Sequence, residues 1–151
     1  MNFNLLKEVS WDKKQTLAAK CLEKYCDNYC IKDDSINKLL EHLYSMEKYN
    51  SCDEYYNLAT WERNGAILEL PGRGDPLPKH LEEKIPKEKI QEFNLLVDYT
   101  VEVGLCNIYG QQDDKPYEYL IKCINVLEIN SIKLPDIIIN LLEKNDRDKI
   151  F

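Results

Sequence analysis

Residues 86–108 read PKEKIQEFNLLVDYTVEVGLCNI, and their spacing decides the fold. Ile90, Phe93, Val97, Val101, Leu105 and Ile108 recur three or four positions apart, which places them on one apolar stripe of a helix. Pro86 suits the first turn, where the missing N–H would find no intrahelical partner anyway. A helix over the whole stretch would run about 35 Å. No other run is as strongly periodic, so this is the expected central packing helix. Gly104 lies on the same side, where it either admits a close neighbour or is simply a weak spot.

Upstream lies Ala66–Pro78, AILELPGRGDPLP, which holds three of the six prolines and two of the five glycines. Prolines at this density exclude a helix, so the run reads as a structured loop, with Ile67, Leu68 and Leu70 as a short extended piece. Three helices are expected before it. The first follows Ser10 as N-cap and carries Leu17, Cys21, Leu22, Tyr25, Cys26 and Tyr29. The second follows Asp33, Asp34 and Ser35 and carries Ile36, Leu39, Leu40, Leu43 and Tyr44. The third opens on Ser51-Cys52-Asp53-Glu54, a capping box, runs through Tyr55, Leu58, Ala59 and Trp61, and closes at Asn64-Gly65.

Downstream of the central helix, Gly110 to Asp114 forms a turn. Pro116 starts a helix with Tyr117, Leu120, Ile121, Ile124 and Leu127 inward, and Pro135-Asp136 starts a last one using Ile138, Leu141 and Leu142. With no internal repeat of fixed period, the expectation is an all-α, single-domain bundle over residues 1–151, of about six helices with one Gly/Pro-rich loop.

Composition narrows the function classes. The chain of 151 residues carries a net charge of −7, with three arginines against seventeen lysines. That balance argues against nucleic-acid binding, which needs a basic face, and favours attraction to a basic partner. No run of about 18 apolar residues is present, so no membrane span is expected. The opening MNFNLLKEVSW lacks the apolar core of a signal peptide, which makes the cytosol the expected compartment. Six cysteines would fit three disulfides in a small secreted protein, but Cys21, Cys26 and Cys30 share one helix and read as reduced, core-lining thiols.

The chemistry-bearing motifs are few. His42 and His80 belong to no metal-ligand spacing, and a dyad of either with a cysteine would depend on the fold. No catalytic residue, metal or cofactor is assigned. Gly72-Arg73-Gly74 lacks the further glycine and the Lys-Ser/Thr of a phosphate loop. Arg73-Gly74-Asp75 spells an integrin-binding tripeptide, yet tight turns at both glycines and a local Asp75 bond before Pro76 explain the same letters.

What remains is a surface of carboxylates and aromatic rings. Asp53, Glu54, Tyr55, Tyr56, Trp61 and Glu62 surround the third helix, and Asp113, Asp114, Tyr117 and Tyr119 repeat the mixture. Neighbouring Tyr55 and Tyr56 cannot both face inward, because successive helical side chains point about 100° apart. Acidic groups steer a basic partner, and aromatic rings supply contact area at low entropic cost. The plainer reading is that tyrosines fill bundle edges with their hydroxyls in water. The expected partner-binding residues are Asp53, Glu54, Tyr56, Glu62, Arg73, Asp75, Asp113 and Asp114.

In size, acidity and tyrosine-rich helical texture, including the AILELPGRGDPLP loop set among helices, the chain resembles the immunity proteins of bacterial toxin systems, those of contact-dependent growth inhibition in particular. The resemblance implies a cytoplasmic inhibitor that binds a cognate basic toxin domain, often a nuclease, and blocks its active site or an essential surface. The alternatives are a helical scaffold or regulatory subunit for a different partner and, behind it, a small enzyme using His42 or His80.

Overall fold

The computed structural model describes residues 2–49, 54–106, 108 and 113–150, with side chains at all of these except 54–57 and 145–150. Its elements are a 3-10 helix at Phe3–Glu8, then α1 (Trp11–Asn28), α2 (Asp34–Tyr44), α3 (Met46–Tyr49), α4 (Glu54–Ala66), α5 (Lys79–Glu82), a 3-10 turn at Lys87–Lys89, α6 (Ile90–Leu105), α7 (Lys115–Ile129) and α8 (Asp136–Ile150). No strand occurs among the described residues, so the architecture is an all-α bundle. The expected extended piece at Ile67, Leu68 and Leu70 is turn and irregular chain instead.

The central helix is α6, packed against both α1 and α7, which also pack on each other. It is shorter than its periodic stretch suggests. Pro86 takes an extended conformation, residues 87–89 wind as a 3-10 turn, and the α-helix begins at Ile90. Ile108, beyond the helix end, is nevertheless buried. Because α6 is covered from two sides, Leu96, Thr100 and Val103 are buried as well as the stripe residues Phe93, Val97 and Val101. Thr100 satisfies its hydroxyl on the Leu96 carbonyl at 2.7 Å, one turn back.

Gly104 does admit a close neighbour. A Cβ at this position would lie 2.3 Å from Gln15 Oε1 and 2.8 Å from Trp61 Cη2. Gln15 is fully buried and anchored by donating from Nε2 to the Thr100 carbonyl at 2.8 Å. Trp61, expected on a mixed polar surface, is also fully buried, and its Nε1 donates to the His42 carbonyl at 2.9 Å. It lies three residues after the buried Leu58, so it belongs to the apolar side of α4. Gly65 does not end α4 as a left-handed cap; the helix continues to Ala66. There the absent side chain makes room for the His42 imidazole, whose Nε2 would lie 2.4 Å from a Cβ.

Two helix ends share one closing device. After α1, Cys30 has φ 56° and the Ile31 N–H returns to the Cys26 carbonyl at 2.9 Å; after α7, Ser131 has φ 55° and Ile132 returns to Leu127 at 2.9 Å. In each, the isoleucine that follows is buried, which supplies the apolar contact of a Schellman motif. Asp33 caps α2 as expected, accepting from the Ser35 N–H at 3.0 Å, whereas Ser10 flanks α1 without a side-chain bond. The Ser51 capping box and residues 110–112 of the expected turn lie outside the described residues. Cys21, Cys26, Cys30, Cys106 and Cys123 are free thiols, and burial pushes Cys26 and Cys123 up to about 12.

Two substitutions test this packing. Gly104→Ala should destabilise the protein by about 1–3 kcal/mol despite alanine's better helix propensity, because the methyl overpacks Gln15 and Trp61. Ser131→Gly should stabilise it by about 1 kcal/mol by relieving the left-handed strain. Urea unfolding followed by far-UV circular dichroism measures both.

Candidate functional site

The loop after α4 is held in one shape by its own backbone and by α6. Gly72, Arg73 and Gly74 are consecutive left-handed residues, at φ 80°, 62° and 77°. Such a run needs glycine on either side of the one strained L-residue. Gly72 presses on α6, since a Cβ there would lie 3.0 Å from Val101 Cγ2. The Gly74 N–H donates to Asp98 Oδ1 at 2.9 Å, and Arg73 Nε lies 3.4 Å from Glu102 Oε1. Asp98, Val101 and Glu102 are three and four residues apart, so one face of α6 is the seat of the turn.

A second fastening joins the loop's two ends. Glu69 precedes the turn and His80 follows it, and His80 Nε2 lies 2.5 Å from Glu69 Oε1. His80 Nδ1 lies 3.0 Å from Asp33 Oδ1, the same oxygen that accepts from Lys84 Nζ at 2.8 Å. The other Asp33 oxygen serves Ser35 through its N–H and its hydroxyl. Burial alone would raise the Asp33 pKa; the bonds from Lys84, Ser35 and His80 outweigh it and hold the carboxyl well below the usual range. Bonding to Glu69 and then to Asp33 raises the pKa of His80.

Between the loop and the helices lies a cavity of about 200 Å³. Leu39, His42 and Leu43 from α2, Trp61, Glu62, Gly65 and Ala66 from α4, Pro71, Arg73 and Asp75 from the loop, and Val101 and Leu105 from α6 line it. The His42 ring stacks on Trp61 with centroids 4.5 Å apart and planes 12° from parallel. Burial pushes the imidazole down to about 4, so it is neutral at pH 7. Its ring nitrogens make no hydrogen bond among the described residues. Ile67, next in sequence to the lining residue Ala66, is 83% exposed.

Of the expected binding residues, Glu62, Arg73 and Asp75 meet at this cavity. Asp113 and Asp114 do not. They sit at the start of α7, where Asp113 Oδ1 accepts from the Lys115 N–H at 3.0 Å as a local cap. Asp53 lies outside the described residues, as do the side chains of Glu54 and Tyr56. His42 was expected near a polar edge, and its place against Trp61 follows from the approach of α2 to α4. Asp98 and Glu102 carry a weak signal, acidic residues one turn apart on the polar side of the central helix, but nothing in the sequence ties them to Arg73. Among the described residues no group of three or more His, Cys, Asp or Glu could hold a metal ion, and no helix is long and apolar enough to cross a membrane.

The two histidines respond oppositely to pH. His42 binds its proton near 6.5 when unfolded and near 4 when folded, so the unfolded state takes up more protons between these values and stability falls as pH drops through that window. The raised pKa of His80 gives a stabilisation that is full below about 6.5 and lost as pH rises through the folded value. Urea midpoints across pH 4–8.5 should therefore show His42→Gln flattening the acid loss. His80→Gln should cost more at pH 6 than at pH 8.5. A His42→Gln profile parallel to that of the wild type would contradict the buried neutral imidazole.

No protein family, curated protein or solved structure matches the chain.

Proposed function

We propose that this chain is a cytoplasmic immunity-type protein that binds and neutralises a cognate basic toxin domain, a nuclease above all, through the face formed by residues 66–78 and the cavity behind them. The observation that carries this reading is the combination at one place of a rigid loop, an apolar cavity and acidic groups. Hot spots on protein surfaces are built in this way, with a pocket for an anchor and charged groups around it. The loop is already fixed by Asp98, Glu102 and the His80 fastening, so little ordering entropy is lost on binding. Ile67, next in sequence to the lining residue Ala66, is exposed and offers apolar contact area. The net charge of −7 supports fast, salt-sensitive encounter with a basic surface, and carboxylates suit a groove made for phosphates.

The enzyme alternative has His42 in the cavity as a candidate base, beside the carboxylates of Glu62 and Asp75. None of the lining residues carries a hydroxyl or thiol for it to activate, so binding is the preferred reading.

Affinity capture from the native host, with mass spectrometry, tests the proposal. The expected result is a stoichiometric basic toxin domain whose retention falls as salt rises from about 50 to about 300 mM. Asp75→Lys should weaken capture at least tenfold and abolish protection of cells against that toxin. Capture and protection unaffected by Asp75→Lys would move the interface elsewhere, and a captured partner that is not a toxin would favour the scaffold alternative.

A further inference from the structure

We propose that the cavity seats a single basic side chain of the partner, its aliphatic stem against Leu39, Pro71 and Leu105 and its cationic head at the carboxylate of Asp75. This inference rests on the docking face described above and specifies what enters it.

Size comes first. Pockets for drug-sized ligands occupy about 300–1,000 Å³, whereas this cavity measures about 200 Å³, a volume suited to one extended side chain. Its aliphatic walls would cover a methylene stem, which long basic side chains bury readily while keeping the charge at a polar rim. Charge decides the head group. Arg73 is drawn to Glu102, whereas the Asp75 carboxylate has no ion pair among the described residues. Arg73 also lines the cavity but already has a carboxylate partner in Glu102, so a cationic head is the complement that Asp75 leaves open, and a neutral one would leave Asp75 unused. His42 completes the seat. Its stacking on Trp61 fixes the ring as one wall of the cavity.

Side-chain analogues test the seat without knowledge of the partner. n-Butylammonium and n-butylguanidinium are titrated into the full chain, with 1-butanol and butyrate as neutral and anionic controls. The Trp61 indole and His42 ring resonances are followed by NMR, and Trp11 is an internal control because its indole, also bonded to a backbone carbonyl, is not among the residues that line the cavity. The expected result is a saturable shift at Trp61 and His42 but not at Trp11, with millimolar affinity for the cations and at least fivefold weaker binding of both controls. Asp75→Asn should weaken the cations at least fivefold and leave 1-butanol unchanged. Equal binding of 1-butanol or butyrate, indifference to Asp75→Asn, or no saturable shift at Trp61 overturns the proposal.

Ala66→Trp separates this outcome from failure of the docking reading, because Ala66 is an exposed lining residue whose enlargement fills the cavity while the core is untouched. Cation binding by the wild type with unchanged toxin capture by Ala66→Trp overturns use of the seat by the partner. Silent probes combined with capture lost in Asp75→Lys overturn the seat alone and leave the docking face standing.

Discussion

Gly72 rests so closely against Val101 that a methyl group there would come within 3.0 Å of its side chain, and the shape of the candidate site depends on that approach. Once the chain touches α6 there, the left-handed run 72–74 brings the Gly74 N–H to Asp98 and Arg73 to Glu102. Three neighbouring side chains on a single helical face thus convert a flexible composition into a fixed turn. Because α6 is itself packed between α1 and α7, the turn inherits the rigidity of the core. A loop seated on a core helix presents its side chains at defined positions, which is what a recognition surface requires.

The electrostatics around the loop divide into two unlike environments. At its far end, a nearly buried carboxylate is satisfied on both oxygens, and the positive partners gathered there hold Asp33 ionised. At the cavity, aromatic stacking and aliphatic walls deny charge to His42. The same residue type is therefore pushed in opposite directions about one loop: His80 towards the cation by paired carboxylates, His42 towards the neutral ring by desolvation. Neither environment requires unusual chemistry, only the meeting of α2 with α4 and with the chain around residue 80.

Helical periodicity made the large elements legible. The stripe from Ile90 to Val101 identified the central helix because burial on one side of a helix imposes a spacing of three and four. That spacing could not show that α6 is covered from two directions, which is why Leu96, Thr100 and Val103 join the core. The four-residue helices α3 and α5 are too short to express any period. Carboxylates flanking Trp61 suggested a surface, yet helical geometry separates adjacent side chains widely enough for Glu62 to face the cavity rim while Trp61 fills the interior. The loop announced itself through glycine and proline, and Arg73 and Asp75 were legible as its polar tips. Its anchors were not, because Asp98 and Glu102 lie 24 and 29 positions away from the residues they hold, and only the tertiary fold sets that proximity.

The cavity also bears on how this protein can change. Space left beside Trp61 and Leu105 forfeits packing that a bulkier Ala66 or Pro71 would recover, so sequences selected only for heat resistance would drift towards filling it. On the function proposed above, the small residues around this hole would trade thermal robustness for recognition. If the hole is where a partner docks, as proposed, variants that grow more stable by closing it would be the ones that lose that partner, and a screen for folding alone would select against binding.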